Sequence, residues 1–534
     1  MNDDGTVDPV TLEVVRNQLI GIAEEAGAAL RRTAYSPNIK ERMDCSTAVF
    51  DAAARMVAQA EHIPVHLGSM PASVAAALTT FGDLQPGDQV LVSDPYAGGT
   101  HLPDWTLVAP VHDRSRRLLG YAANRAHQSD VGGGAPGSMP AGATDIFQEG
   151  LRIPPVRLVR DGEEDRDLLA MLLANTRTPH ERVGDLRAQI GANRLTARRL
   201  IEVADRLGAD RLQLVAGATL DHAERLIRAA LRDLPDGSAT FTDVLDGDGV
   251  TDDPVTIRAT VTIAGDELHV DFDGSDRQVR GSVNAPLAVT VSACVYALRA
   301  IVAPTVPAND GTTRPLRVIA AEGSVVNPRP PASVAAGNVE TSQRIVDVVF
   351  GALAQLLPGR VPAASQGTMN NILIGGTDPR TGTGFSYYET LAGGQGATAD
   401  ADGMSGVHTH MTNTKNTPVE AFELAYPLEV VEYRLRDGSG GQGRHRGGDG
   451  IRRVLRVKAD AATVSLLTER RSRGPWGLDG GADGAPGRNV LVRDGEEVAL
   501  PAKTTLAVRR DDLIVVETPG GGAHGPPPPA PKAM

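Results

Sequence analysis

Residues 94–130 hold the densest set of metal-type donor side chains in the chain. In SDPYAGGTHLPDW, His101 stands three residues before Asp104; in NRAHQSDVGG, His127 stands three residues before Asp130. Imidazole nitrogen with carboxylate oxygen suits a divalent cation such as zinc, manganese or iron. One H-x-x-D pair is ordinary, because His and Asp in turns commonly bond nearby backbone groups. Two pairs, each in a glycine-rich turn after an apolar run, point to a shared cavity rim, where glycine lets backbone and ligand approach closely.

Those turns need strands to carry them. Residues 88–94, 105–112 and 118–126 read as strands around the two pairs, and 44–60 as a further strand pair. Residues 8–32 read as a helix, with Asp8 as N-cap, Pro9 at the first turn, and Leu12, Val15, Leu19 and Ile22 at helical spacing. A short helix is expected over 70–81, ending near Gly82. Residues 165–233 are helical by period, with charged faces expected to be solvated. Residues 236–275 switch to period two with Asp-Gly turns, the pattern of an antiparallel meander. DGDGVTDD lacks the sixth-position Gly and twelfth-position Glu of a calcium loop, so it reads as hairpin turns. Helices rich in small residues follow at 286–303 and 338–357. The fold class is therefore mixed α/β (α+β) and multi-domain. The expected division is a 1–235 α/β metal-site domain with a helical segment, a 236–427 α+β domain with a glycine-rich substrate loop, a 428–520 β-rich domain, and a disordered 521–534 tail.

The 534 residues are too many for one core. Aromatics are only 3%, so Ala, Val, Leu and Ile must fill the interior. No run reaches the length of a membrane span, and MNDDGTVDP is unlike a secretory signal. Two cysteines, Cys45 and Cys294, fit a reducing cytosol, so a cytoplasmic location is expected. A net charge of −13 without a basic stripe argues against nucleic acid as a partner. Gly438–Gly443 matches G-x-G-x-x-G, but a strand follows it rather than a helix, so no dinucleotide site is expected. No Walker sequence and no G-x-S-x-G elbow occur.

A second polar stretch runs SYYETLAGGQGATADADGMSGVHTHMTNTKNTPVE, with Glu389, His408, His410, Asn413, Thr414 and Asn416 as candidates. Its glycine run suits a backbone nest for phosphate, and H-x-H on a strand would aim both imidazoles at one face. His62 and His66 flank Pro64, with packing and site roles both open. Arg42 and Lys40 suit a phosphorylated intermediate or an ordinary ion pair.

The segments DPVTLEVVRNQL, NIKERMDCSTAVFD, HIPVHLGSMPASV, DPYAGGTHLPDWTLV, NTRTPHERVGDLRAQIGANRL, GNVETSQRIVDVV, NTKNTPVEAFE, GSGGQGRHRGGDG and TPGGGAHG, in this order, resemble the hydantoinase B/oxoprolinase family. That family includes N-methylhydantoinase B-type subunits and is related to acetone carboxylase alpha subunits. The resemblance covers residues 7 to 525. It implies a two-subunit hetero-oligomer. An A-type partner uses ATP to phosphorylate the substrate oxygen, and the B-type chain completes the reaction at one divalent metal (Zn, Mn or Fe). The implied substrate is a small cyclic amide such as a hydantoin, 5-oxoproline or a lactam. By motif, His101, Asp104 and His127 are the implied ligands, with Asp44 of ERMDCS next. Asp130 is implied as a partner of His127 or a general base. From the polar candidates above, Glu389 is read as a catalytic carboxylate, and Arg42, His408, His410 and Asn413 as substrate contacts. Gln128 departs from the His or Trp common in relatives at that place. The runner-up function is the alpha-type subunit of an ATP-dependent ketone carboxylase. A non-haem iron oxygenase and a non-catalytic scaffold are the readings from other classes.

Overall fold

The computed structural model describes residues 7–60 and 63–528. His62 lies outside them. The first layer is a sheet of seven strands: β1 (Cys45–Asp51), β2 (Met56–Ala60), β3 (Gln89–Val92), β4 (Asp104–His112), β5 (Leu118–His127), β6 (Val156–Arg160) and β7 (Glu163–Glu164). Its spatial order is β2-β1-β5-β4-β3-β6-β7, antiparallel throughout. Both faces are covered. Val49 and Ala122 pack with Leu19 and Leu200 of the helices Pro9–Thr33 and Pro179–Leu207, while Phe50, Val90 and Val108 pack with Met70 and Val74 of the helix Met70–Phe81. Burial on two sides explains why the central strands read as unbroken apolar runs.

The helix ends follow their sequence signals. Asp8 Oδ1 accepts from Thr11 N at 2.8 Å with Pro9 in the first turn, and Gly82 ends Met70–Phe81 at φ 59°. Solvated faces hold only in part for 165–233. Arg182, Asp185, Gln189 and Asn193 are buried at helical spacing. Gln189 Nε2 donates to Trp105 O (2.8 Å) and Asn124 Oδ1 (2.9 Å), and Asn193 Nδ2 donates to Gln89 Oε1 (3.1 Å). This polar seam satisfies groups that apolar contact alone would leave unpaired.

The second sheet is the expected meander β8 (Gly237–Leu245), β9 (Val255–Ala264) and β10 (Glu267–Asp271), extended by β11 (Leu316–Ile319) running parallel to β10. Every second residue of β9 faces the helices Leu287–Ile301 and Ser342–Leu356 in the largest apolar core.

The C-terminal strands are β12 (Asn371–Thr377), β13 (Gly384–Thr390), β14 (Leu428–Leu435), β15 (Ile451–Val457), β16 (Ala461–Leu467), β17 (Arg488–Arg493), β18 (Glu496–Leu500), β19 (Lys503–Arg509) and β20 (Leu513–Glu517). They form two sheets, β13-β12-β16-β19 and β14-β15-β20-β17-β18. Ile372, Tyr387 and Val464 of one meet Leu455, Leu491 and Ile514 of the other across a shared core, as in a sandwich. Strand pairing between β12 and β16 thus crosses the expected boundary at 427/428.

The expected tail disorder is corrected for Gly521–Gly525, which are buried. Gly521 N donates to Gly448 O and Gly522 N to Ala364 O. A Cβ on Gly447 would lie 1.9 Å from Gly521 O, so only glycine permits this backbone packing. Residues 529–534 lie outside the described residues.

Candidate metal centre and adjoining cavity

Strand register explains why two distant motifs meet. β4 begins at Asp104 and β5 ends at His127, and the two are cross-strand partners. His101 lies three residues before β4, in a loop whose Asp94 accepts from Tyr96 N at 3.0 Å. A Cβ on Gly98 there would lie 2.4 Å from Ala72 O, with φ at +85°. The entry to β1 lies beside this end of the sheet, because His127 N donates to Asp44 O at 3.1 Å.

The result is a triangle. His101 Nε2, His127 Nδ1 and Asp104 Oδ1 lie 3.1 Å from one another along each edge, all buried. Protons satisfy such a triangle poorly, since an N–H aimed at one corner leaves another edge unbridged. A cation fits it well: neighbouring ligands held at roughly 2.1 Å from one ion are roughly 3.0–3.4 Å apart. The other ring nitrogens, His101 Nδ1 and His127 Nε2, are buried without a hydrogen-bond partner among the described residues.

His66 joins the group. Ser46 Oγ holds its Nδ1 at 2.9 Å, leaving Nε2 3.6 Å from Asp104 Oδ2. Thr100 Oγ1 donates to the same Oδ2. Burial would raise the Asp104 pKa, but His101 and the hydrogen bonds of the three histidines hold it well below the usual carboxylate range. Burial pushes His127 below its ordinary 6.5, with Asp104 opposing. A carboxylate that stays ionised and an imidazole that stays neutral are the ligand forms a metal needs.

β13 closes the site. Tyr388 stacks on His127, with ring centroids 4.6 Å apart, and the Arg42 guanidinium lies 4.8 Å above Tyr388. Arg42 donates to Tyr388 O (2.8 Å), Thr390 Oγ1 (2.8 Å) and the side chain of Asn38. Asp44, His66, Asp104, His127, Asn338, Tyr388, Thr390 and Thr414 line a cavity of about 20 Å³ with Thr412. Asp44 therefore reaches the rim, although it stands outside the tight donor triangle.

A second cavity of about 490 Å³ adjoins it, with Thr412 in both walls. His408, His410 and Asn413 line it with Tyr296, Phe350 and Gln395. Residues 408–410 do not form the expected strand. His410 sits in a turn at φ +58°, Tyr296 Oη lies 3.4 Å from its Nδ1, and Asp347 Oδ1 lies 3.9 Å from its Nε2. Burial pushes His408 down to about 4 and also lowers His410, so both are neutral donors or acceptors at pH 7.

Three expectations are corrected. Asp130 is not a free base or a partner of His127. Its oxygens accept from Gly132 N, Gly137 N, Arg177 N and Arg177 Nη1 at 3.0–3.1 Å, which fixes the following turn. Glu389 points away from the site, because alternate residues Tyr388 and Thr390 face it. Glu389 is locked instead by Arg453 at 3.3 Å, by the Tyr387 hydroxyl and by Thr417 N. The glycine run 393–396 is no nest either: its N–H groups donate to Val407 O, Pro519 O, Met404 O and Ser365 Oγ.

Two residues had no distinguishing sequence signal. Tyr388 is one of three aromatics in β13, beside Phe385 and Tyr387. Asn338 sits in a π-helical turn, Gly337–Thr341, which a periodic pattern does not reveal.

A donor triangle at the rim of an antiparallel sheet, with a larger cavity sharing Thr412 beside it, defines a candidate metal-dependent enzyme. The comparisons then give the family. The sequence profile of hydantoinase B/oxoprolinase matches residues 8–527, and the chain belongs to that family. It is 41% identical over 518 residues to an uncharacterised protein of Methanocaldococcus jannaschii, covering 96% of this chain and 90% of that one. It is 37% identical to 5-oxoprolinase of Dictyostelium discoideum, covering 96% of this chain but only 40% of that protein's length. It is 33% identical to the B-type subunit of a putative D-/L-hydantoinase from a Pseudomonas strain, covering 93% and 86%. Among solved structures it superposes on the ATP-dependent caprolactamase of Pseudomonas jessenii with TM-score 0.90 at 30% identity, covering 98% and 93%. Acetone carboxylase shares the fold, with TM-score 0.87 at 20% identity, covering 97% and 76%. No helix among the described residues is long and apolar enough to cross a membrane.

Proposed function

We propose that this chain is the hydrolytic B-type half of an ATP-using cyclic-amide hydrolase, acting with an A-type chain that phosphorylates the substrate oxygen. The observation that carries the reading is the triangle of His101, Asp104 and His127, with 3.1 Å edges, beside a cavity whose wall includes His408, His410 and Asn413. The names of the relatives, 5-oxoprolinase, D-/L-hydantoinase and caprolactamase, support a cyclic amide as the substrate class.

An amide carbon is a poor electrophile until its resonance is broken. Phosphorylation of the amide oxygen by the partner would break that resonance and open the carbon to water. The C–N bond would then break with the ring nitrogen leaving as a protonated amine, and hydrolysis of the resulting acyl phosphate would release phosphate and the carboxylate. His101, Asp104 and His127 would hold a divalent zinc, manganese or iron ion, with Asp44 and His66 close by. That ion would supply Lewis acidity and lower the pKa of a water. Tyr388 keeps the His127 ring in place by stacking. Arg42, buried behind Thr390 and Thr414, adds positive potential where a phosphorylated substrate brings negative charge. His408, His410 and Asn413 offer neutral hydrogen bonds to the rest of the ring.

The test is co-purification with an A-type partner, metal analysis, and ATP-dependent opening of 5-oxoproline, hydantoin and ε-caprolactam. Metal at about one ion per chain with ring opening supports the reading. Turnover that requires bicarbonate and a ketone would favour the carboxylase alternative, and turnover that requires oxygen would favour an oxygenase.

A further inference from the structure

Asn338 is the unassigned residue of the small cavity. It stands in the π-helical turn Gly337–Thr341, where one extra residue per turn rotates it inward. The turn is held on every side. Gly337 N donates to Ser282 O at 2.9 Å, and a Cβ on Gly337 would lie 1.8 Å from Asn284 O. Thr341 Oγ1 bonds Val283 O, and Ser342 Oγ donates to the Asn338 carbonyl at 2.8 Å. Glu340 anchors the turn from the other side, accepting from Met369 N at 3.0 Å and from Asn371 Nδ2 at 2.7 Å. The backbone of Asn338 is therefore occupied, while its side chain is 3% exposed and lines the cavity with His66, Asp104 and His127. Its Oδ1 has no hydrogen-bond partner among the described residues. A buried carbonyl oxygen left unpaired loses its hydration without compensation, so a retained one points to a ligand donor that satisfies it.

We propose that Asn338 Oδ1 accepts the ring N–H of the substrate and makes the site selective for unsubstituted cyclic amides. This rests on the cyclic-amide reading above. The chemistry is specific to the activated ring. Once the amide oxygen is phosphorylated, the carbon is most electrophilic while nitrogen keeps its proton. An acceptor facing that nitrogen stabilises the protonated form without removing the proton. An N-methyl ring has no such proton, and its methyl group would press on the same oxygen. Binding built on a buried hydrogen bond discriminates against ligands that cannot make it.

The experiment uses the complex with its A-type partner and three rings, 5-oxoproline, hydantoin and ε-caprolactam, each against its derivative methylated on the amide nitrogen. Asn338→Leu keeps the number and branching of the side-chain heavy atoms but loses the acceptor. Asn338→Asp keeps an acceptor, and Asn338→Ala serves if Leu fails to fold. The expected result for Leu or Ala is a fall of about 10- to 100-fold in kcat/KM for the N–H ring. Activity on the N-methyl ring should stay within about twofold, with metal content and Tm as in the unaltered chain. Asp should retain the N–H preference. Equal losses on both rings, or no loss on either, would overturn the assignment while leaving the cyclic-amide reading standing. If the unaltered complex opens none of the rings, that reading falls and the Asn338 role falls with it.

Discussion

Two of the buried polar regions differ in charge balance. Around Arg344, three carboxylates (Asp243, Asp347 and Glu469) face three cations (Arg344, Arg470 and Lys503). Arg344 Nη1 lies 2.9 Å from Asp243 and 3.3 Å from Asp347, Arg470 Nη2 lies 2.6 Å from Asp347, and Lys503 pairs with Glu469. The network ties β8, the helix Ser342–Leu356 and β19 together. The His101–Asp104–His127 triangle holds one carboxylate and two imidazoles, with burial pushing His127 towards the neutral form. The first region balances its charge with protein groups alone, although Arg344 Nε, Asp347 Oδ1 and Arg470 Nε have no hydrogen-bond partner among the described residues. The second sets its one carboxylate against imidazoles only, with no arginine or lysine paired to it among the described residues. Burial and charge are common to both; the missing counter-charge separates a site from a strut.

His101→Ala breaks the comparison most sharply. On the proposed reading it removes the bound metal and lowers ATP-dependent turnover by roughly 10³-fold or more, while Tm of the metal-free chain moves little. Arg344→Met should do the reverse. It leaves three buried carboxylates against two cations, and breaking such a pair costs roughly 3–5 kcal/mol. Urea unfolding should register that loss while the surviving folded chain keeps its metal content. If both variants lost metal equally, the contrast between site and strut would fail.

His66→Gln sharpens the border of the site. His66 Nδ1 is fixed by Ser46, and its Nε2 faces Asp104 from 3.6 Å. Its loss should weaken metal binding by about tenfold, as losses of residues that orient metal ligands do. Competition with a chelator at fixed pH reads this directly. A loss as deep as that of His101→Ala would make His66 a ligand.

The sequence made the triangle legible because its residues stand at strand ends. A strand ending in His127 beside one starting at Asp104 needs only the antiparallel register to bring them together. The same spacing misled at Asp130. His-x-x-Asp recurs there, but the chain turns after β5, and backbone N–H groups and Arg177 occupy the carboxylate. Glu389 misled for a related reason: period two decides which side of β13 a residue faces, and its neighbour Tyr388 took the cavity side. The helices, the meander and the strand-rich C-terminal region followed their periodicity. The sandwich that joins β12 to β16 did not, because pairing between distant strands leaves no local pattern.

The smallest expected effect concerns Glu340, which anchors the π-helical turn rather than joining either region. Burial pushes its pKa from 4.5 to about 8, with Glu469 adding to the rise. A carboxyl with a raised folded pKa binds more protons folded than unfolded between those values. Native stability therefore falls as pH rises from about 5 to 8, and the contribution is restored on the acid side. Glu340→Gln keeps an acceptor for Met369 N and Asn371 Nδ2 and removes the charge. The slope of unfolding free energy against pH over this window should flatten by about 1 kcal/mol per pH unit. The Arg344 network should hardly contribute to that slope, because Arg344 is pushed well above this window and its neighbouring arginines hold Asp243 below it. An unchanged slope in Glu340→Gln would mean that the carboxyl is ionised and satisfied in the native turn, and that the turn owes its shape to Gly337 and Thr341 instead.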